Sequence, residues 1–271
     1  MNIERVIISG GGTGGHIFPA LSIANEISRR YPNAEILFVG ALGRMEMEKV
    51  PAAGYKIVGL PVMGFPRKPG LKIITFFIRL LKSASMARTI VKDFKPQVAI
   101  GVGGYASGPL LRAAAAKNIP TLIQEQNSYA GVTNKILGKK VKSVCVAYDK
   151  MERYFPAEKL VFTGNPVREN LVRELPPKEE AIQYFGLNPA KKVVLIVGGS
   201  LGARSINNAV LQNMEFVAQS GVEFIWQTGA IYYKKIQEEL AENRPENLHI
   251  HEFISRMDLA YSSAAVIISR A

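Results

Sequence analysis

The chain has 271 residues, 48% of them hydrophobic, with 24 glycines, 15 prolines and one cysteine. That balance describes a globular protein of one large or two modest domains, and it excludes a disordered, collagen-like or disulfide-stapled chain. The formal charge of +12 is uneven: residues 1–163 hold 23 basic and 10 acidic side chains, whereas residues 164–271 hold 11 and 12. One half is therefore expected to meet an anionic surface, whether nucleic acid, acidic membrane or phosphorylated substrate. Cys145 has no second cysteine to pair with, which suits a reducing compartment. The sequence runs straight into a strand without a charged-then-apolar leader. No apolar run approaches the roughly 18 residues of a spanning helix, so a cytosolic setting is expected.

In chain order, apolar runs predict strands at Arg5–Ser9, Glu35–Val39, Lys56–Leu60, Val98–Val102, Thr121–Gln124, Ser143–Ala147 and Leu160–Thr163. They are Val/Ile-rich and continuous, as in parallel strands covered on both faces. Helical stretches lie between them at Pro19–Arg30, Lys72–Phe94 and Pro109–Lys117. This is the grammar of a doubly wound α/β sheet. Beyond the polar stretch Arg173–Glu180, strands at Lys192–Val197, Glu223–Gln227, Leu248–Glu252 and Ala265–Ser269 predict a second unit. Both units open with a strand, a glycine cluster and a helix, as Val6–Gly15 and Val193–Gly202 show. Two Rossmann-like domains over 1–163 and 164–271 are expected, with a ligand beyond the carboxyl ends of the strands. Ala265–Ser269 stops where its ligand-facing loop should begin, so the second domain is expected to be incomplete.

Gly10, Gly12 and Gly15 fit the G-x-G-x-x-G pattern of a phosphate-cradling loop at a helix start. A dinucleotide site would also need an acid ending the second strand, and that strand ends Phe38-Val39-Gly40-Ala41. Nicotinamide cofactors are therefore not expected. Further glycine loops at Gly101–Gly108 and Gly198–Gly202, with Thr13, Ser107 and Ser200 among them, point to phosphate or diphosphate binding. His16 follows the first loop, where an imidazole can take a proton near neutral pH; its alternative role is a helix-start hydrogen bond. Glu125-Gln126-Asn127 follow a strand and point toward the same place. His249 and His251 share a strand face but lack a third ligand at metal spacing, and no Asp-x-Asp pair or Walker loop offers a Mg²⁺ site.

Residues 67–95 carry eight basic side chains and one acid, Asp93. Lys68, Lys72 and Arg79 fall on one helical stripe, with Lys82 as a further cation; Ile73, Phe77, Leu80 and Ala84 form a neighbouring apolar stripe, with Ile74, Phe76 and Leu81 beside it. That mixture suits a helix resting on an anionic bilayer, with an ordinary sheet-covering helix as the alternative. No aromatic stacking platform accompanies the charge, so nucleic acid is not the expected partner.

The ordered set Gly11–His16, Phe18-Pro19-Ala20, Gly103–Pro109, Glu125-Gln126-Asn127, Ala130–Lys135, Gly164–Arg168, Gly198–Arg204 and Ser269-Arg270-Ala271 resembles the MurG family of bacterial glycosyltransferases. The resemblance covers essentially the whole chain. It implies the GT-B fold, two Rossmann-like domains facing across a cleft. It also implies transfer of N-acetylglucosamine from UDP-N-acetylglucosamine to the C4 hydroxyl of undecaprenyl-diphospho-N-acetylmuramoyl-pentapeptide. The product, lipid II, serves peptidoglycan synthesis and with it cell shape and division. No cofactor is implied, and the place of action is peripheral, at the anionic cytoplasmic face of the cell membrane.

By the same resemblance, Thr13, Gly14, Gly15, Tyr105, Asn127, Arg168, Ser200 and Ile254 bind substrate. An α-linked donor and a β-linked product imply one inverting displacement, with His16 as base and Glu125 orienting or supporting it. Loop N–H groups, helix N-termini and Arg168 take the diphosphate charge in place of a metal. Gln124 stands where many members have His and is not taken as catalytic. Family members also continue past Ala271. A UDP-sugar epimerase of the same fold, or an inactive fragment that binds lipid or sugar nucleotide, are the competing readings.

Overall fold

The β-branched runs extend into two all-parallel sheets in a computed structural model that describes residues 3–66, 70–167 and 175–270. The chain divides into two units, Met1–Arg168 and Glu169–Ala271, so the division falls five residues beyond the expected 163/164 boundary.

Unit 1 runs β1 (Arg5–Gly10), α1 (Gly14–Arg30), β2 (Glu35–Ala41), α2 (Glu46–Ala52), β3 (Lys56–Leu60), α3 (Leu71–Phe94), β4 (Val98–Gly103) and α4 (Ser107–Ala115). It continues with β5 (Thr121–Glu125), α5 (Val132–Gly138), β6 (Ser143–Val146) and β7 (Leu160–Phe162). The strand order is β3-β2-β1-β4-β5-β6-β7. The winding reverses between β1 and β4, and a crevice opens beyond the strand ends at such a switch point. The β1–β4 register shifts there: Ser9 pairs with Gly101 and Gly10 with Gly103. The shift brings the first two glycine loops side by side.

Period-two alternation sorts the strand side chains into two layers. Val6, Ile8, Phe38, Ile100 and Val102 pack with Ile17, Ala20 and Val50 of α1 and α2. Ile7, Val39, Ala99, Ile123 and Val144 pack on the other face with α3, α4 and α5 through Ala87, Leu110 and Leu137. The 24-residue α3 is about 36 Å long at 1.5 Å per residue. It ends at Lys95, whose left-handed backbone and N–H to Val91 O close the helix just before Pro96.

Unit 2 contains α6 (Lys178–Phe185), β8 (Val193–Val197), α7 (Arg204–Gln212), α8 (Met214–Gln219), β9 (Glu223–Gln227), α9 (Tyr233–Glu239), β10 (Leu248–His251), α10 (Met257–Ser263) and β11 (Val266–Ser269). The sheet order is β10-β9-β8-β11, again with the switch beside the opening strand. Its core holds Trp226, fully buried, with Nε1–H donating to Asn207 Oδ1 at 3.2 Å. The same Asn207 donates to Thr228 O at 2.9 Å, which ties α7 to the end of β9. Among the described residues, no helix is long and apolar enough to cross a membrane.

Candidate active site

At the unit 1 switch point the strand ends hold a cavity of about 600 Å³ lined by Thr13, Gly14, Gly15, His16, Gln126, Asn127, Tyr148 and Asn165, among others. Five residues expected in the site, Thr13, Gly14, Gly15, His16 and Asn127, therefore meet in one place. Thr13 O accepts the N–H groups of His16 and Ile17, both at 3.1 Å. Thr13 makes no side-chain cap, so the N–H groups of Gly14 and Gly15 meet no acceptor among the described residues and stay open to an anion.

The imidazole lies over β4's end. A Cβ on Gly103 would stand 2.7 Å from His16 Cε1, and one on Gly104 would stand 2.5 Å from Gly11 O. Both glycines also have positive φ, +101° and +87°, which a side chain would strain. The two loops touch because neither carries a side chain at the contact.

His16 Nδ1 lies 3.1 Å from Gln126 Oε1. The amide's orientation is settled by its other end: Gln126 Nε2–H donates to Val102 O at 3.0 Å and Gln124 O at 3.1 Å, and also to Gln124 Oε1. Oε1 is therefore an acceptor and Nδ1 the donor to it, so that in the neutral imidazole the lone pair lies on Nε2. An imidazole in this tautomer is arranged to receive a proton.

The expected partner of His16 was Glu125, and here the structure differs. Glu125 is buried and holds the loop ahead of it. Its Oε1 accepts Asn127 N–H and Nδ2–H, both at 3.1 Å, and its Oε2 accepts Gly131 N–H and Asn134 Nδ2–H, both at 3.0 Å. Four donors satisfy the carboxylate, and it positions Asn127 rather than the imidazole. Gln124 supports Gln126 from the strand below.

A second buried acid, Glu46, escaped the sequence reading. It rises from the start of α2 to accept Gly12 N–H at 2.8 Å and Ala41 N–H at 2.9 Å. A Cβ on Gly11 would fall on its carboxylate. The end of β2, empty of acid in the sequence, is thus filled from the next helix by a carboxylate whose two oxygens each accept one backbone N–H. It braces the first glycine loop. Burial pushes the Cys145 thiol pKa up, against a hydrogen bond with Thr163 that lowers it.

Tyr105 lies apart from the His16 cavity, half exposed, and lines a larger apolar one with Phe65, Phe76 and Gly108. Ser200 is exposed in the unit 2 glycine loop, where its carbonyl accepts Ala230 N–H at 3.1 Å. Ile254 is 4% exposed, its side chain in the unit 2 core and its N–H donating to Gln227 Oε1 at 2.8 Å. Arg168 and Lys68 lie outside the described residues. On α3, Lys72, Phe77, Arg79, Leu80 and Lys82 are exposed, and Ile73 and Phe76 are half-buried. Ile74, Ile78 and Leu81 are more than half exposed and widen the apolar face. Among the described residues, no group of three His, Cys, Asp or Glu side chains is placed to hold a metal ion.

Two Rossmann-like units, with glycine loops at strand ends and an imidazole at a switch point, define a protein of the GT-B class. The N-terminal domain of glycosyltransferase family 28 matches residues 6–146 and its C-terminal domain matches residues 193–271. The chain belongs to this family. A Phocaeicola vulgatus relative, 60% identical over 98% of this chain and 71% of its own length, is named UDP-N-acetylglucosamine–N-acetylmuramyl-(pentapeptide) pyrophosphoryl-undecaprenol N-acetylglucosamine transferase. The crystal structure of Acinetobacter baumannii MurG is 29% identical, with a TM-score of 0.68, and the match covers 98% of this chain and 73% of that one. A UDP-GlcNAc 2-epimerase from Neisseria meningitidis, solved with UDP-GlcNAc, also has a TM-score of 0.68, over 98% of this chain and 77% of its own. At 17% identity it shares the fold alone.

Proposed function

We propose that the chain transfers N-acetylglucosamine from UDP-N-acetylglucosamine to the C4 hydroxyl of undecaprenyl-diphospho-N-acetylmuramoyl-pentapeptide. The observation that carries the reading is the placement of His16, with Nδ1 held 3.1 Å from Gln126 Oε1 and Nε2 without a protein partner among the described residues. In a single displacement the acceptor oxygen attacks the sugar's C1 opposite the UDP. The C1–O bond to the diphosphate breaks, the new C1–O bond forms with inversion from α to β, and the hydroxyl proton passes to His16 Nε2. The open amides of Gly14 and Gly15, at the positive end of α1, favour an anionic group in the same cavity. Glu125 acts indirectly, by holding Asn127 at the cavity wall.

The lipid-linked acceptor keeps its diphosphate at a bilayer surface, and α3 supplies the means to work there. Its exposed Lys72, Arg79 and Lys82 attract anionic lipid, at ~1 kcal/mol each, while Ile74 and Phe77 insert. The chain is thereby a peripheral protein of the cytoplasmic membrane face.

The test is turnover with labelled UDP-N-acetylglucosamine and a lipid-linked acceptor. His16→Ala is expected to lower kcat by ~10²–10⁴ with little change in the KM for the donor. A variant that keeps most of its turnover would remove His16 from the role. Conversion of free UDP-sugar without acceptor would replace transfer by epimerisation.

A further inference from the structure

A cavity of about 1020 Å³, larger than the one at His16, lies on the α3–α4–α5 face of the unit 1 sheet, opposite the α1 face. Phe65, Phe76, Leu80, Leu81 and Ile136 wall it, and all except Phe76 are exposed large apolar side chains. Phe65 and Phe76 meet edge to face, with ring centroids 5.2 Å apart. This concavity reaches the top of the range of roughly 300–1,000 Å³ typical of pockets that engulf a whole ligand. A flat bilayer contact needs protruding side chains and no such hollow.

Two features say what fills it. Tyr105 and Gly108 belong to its lining, so the hollow begins at the second glycine loop, two residues from the Gly103 that carries the His16 ring. Three cations also line it, Arg88, Arg112 and Lys140, and none has an acidic partner among the described residues. An apolar hollow with unpaired cations, running up to the loop that packs against Gly11 and His16, complements an amphiphile whose charge sits next to a hydrocarbon chain.

We propose that this groove holds the isoprenoid chain of the acceptor next to its diphosphate, drawing that part of the lipid out of the bilayer and aiming its head at the His16 cavity. The proposal rests on the transfer reading above for the presence of a lipid-linked acceptor. It separates two jobs that one apolar surface would otherwise share: the exposed α3 residues dock the protein, and the hollow behind them grips the substrate.

The test is direct binding of farnesyl diphosphate, a soluble isoprenoid diphosphate, against inorganic diphosphate, alongside sedimentation with phosphatidylglycerol vesicles. Farnesyl diphosphate should bind about tenfold tighter or more than inorganic diphosphate, since even two buried methylenes suffice for that ratio. Ala116→Trp, at an exposed lining position that tolerates size, and Ile136→Glu should each weaken farnesyl diphosphate at least about tenfold and leave vesicle sedimentation intact. Charge reversal at Lys72 and Arg79 should do the opposite. Equal affinity for the two diphosphates would overturn the proposal, as would equal competition by lysophosphatidylglycerol, which would assign the groove to phospholipid. Parallel loss of both bindings in the groove variants would make it one bilayer face. Because these readouts need no turnover, a protein that binds farnesyl diphosphate but transfers no sugar would sink the transfer reading alone.

Discussion

Gln126 turns Oε1 toward His16 because its Nε2–H groups are held by the carbonyls of Val102 and Gln124. Replacing that amide by a carboxylate therefore tests more than packing. In Gln126→Glu the acid stabilises the protonated imidazole, so the acidic limb of the kcat/KM profile should move to higher pH, with KM for the donor little changed. A variant whose profile keeps its shape and position would show that Gln126 only fills space. The sequence pointed to Glu125 as the support of His16, whereas the side chain that meets the imidazole is its neighbour Gln126. Glu125 looks like the natural support for an imidazole, but neighbours on a strand face opposite ways. Gln124 and Gln126 therefore turn together beneath His16, and Glu125 turns to Asn127, Gly131 and Asn134. Glu46 was illegible for a different reason: the room it occupies is made by Gly11 and Gly40, which become neighbours only once β1 and β2 pair.

Among the elements, the strands were read to within one or two residues, because buried parallel strands are continuous Val/Ile runs between glycines. Helix starts were harder. α1 begins at Gly14, five residues before the expected Pro19, since glycines that suit a loop also suit a helix start facing an anion. β10 carries a pH dependence that its sequence did not announce. His251 Nε2 is buried without a partner and its ring meets Phe185 edge to face at 5.5 Å. Burial, helped by the nearby positive charges of His249 and Arg244, pushes its pKa below the ordinary 6.5. The unfolded chain binds this proton more readily, so stability is present above about pH 6.5 and is lost as pH falls toward the folded-state pKa. Trp226, the sole tryptophan, reports unfolding of unit 2. Its urea midpoint should fall between pH 7.5 and 5.5, and His251→Phe should flatten the slope. An unchanged slope in the variant would remove His251 as the cause.

At the scale of the whole molecule, the α/β class, the two units and the strand-end position of the glycine loops were all legible, because periodicity and glycine placement are local. The strand order β3-β2-β1-β4 and the one-residue shift that presses two loops together were not, because both are pairing choices between distant segments. The charge imbalance was legible at once, with 23 basic against 10 acidic residues up to Thr163 and near neutrality beyond. An imbalance of that kind is a moment as well as a sum. Near an anionic surface it exerts a torque, turning unit 1 inward before any side chain touches lipid, over a range set by the Debye length of about 10 Å at 0.1 M salt. Salt should therefore slow the arrival of the protein at phosphatidylglycerol vesicles far more than it hastens departure, which inserted side chains such as Phe77 govern. Stopped-flow rates at two ionic strengths separate the two, and equal sensitivity of both would refute an orienting field.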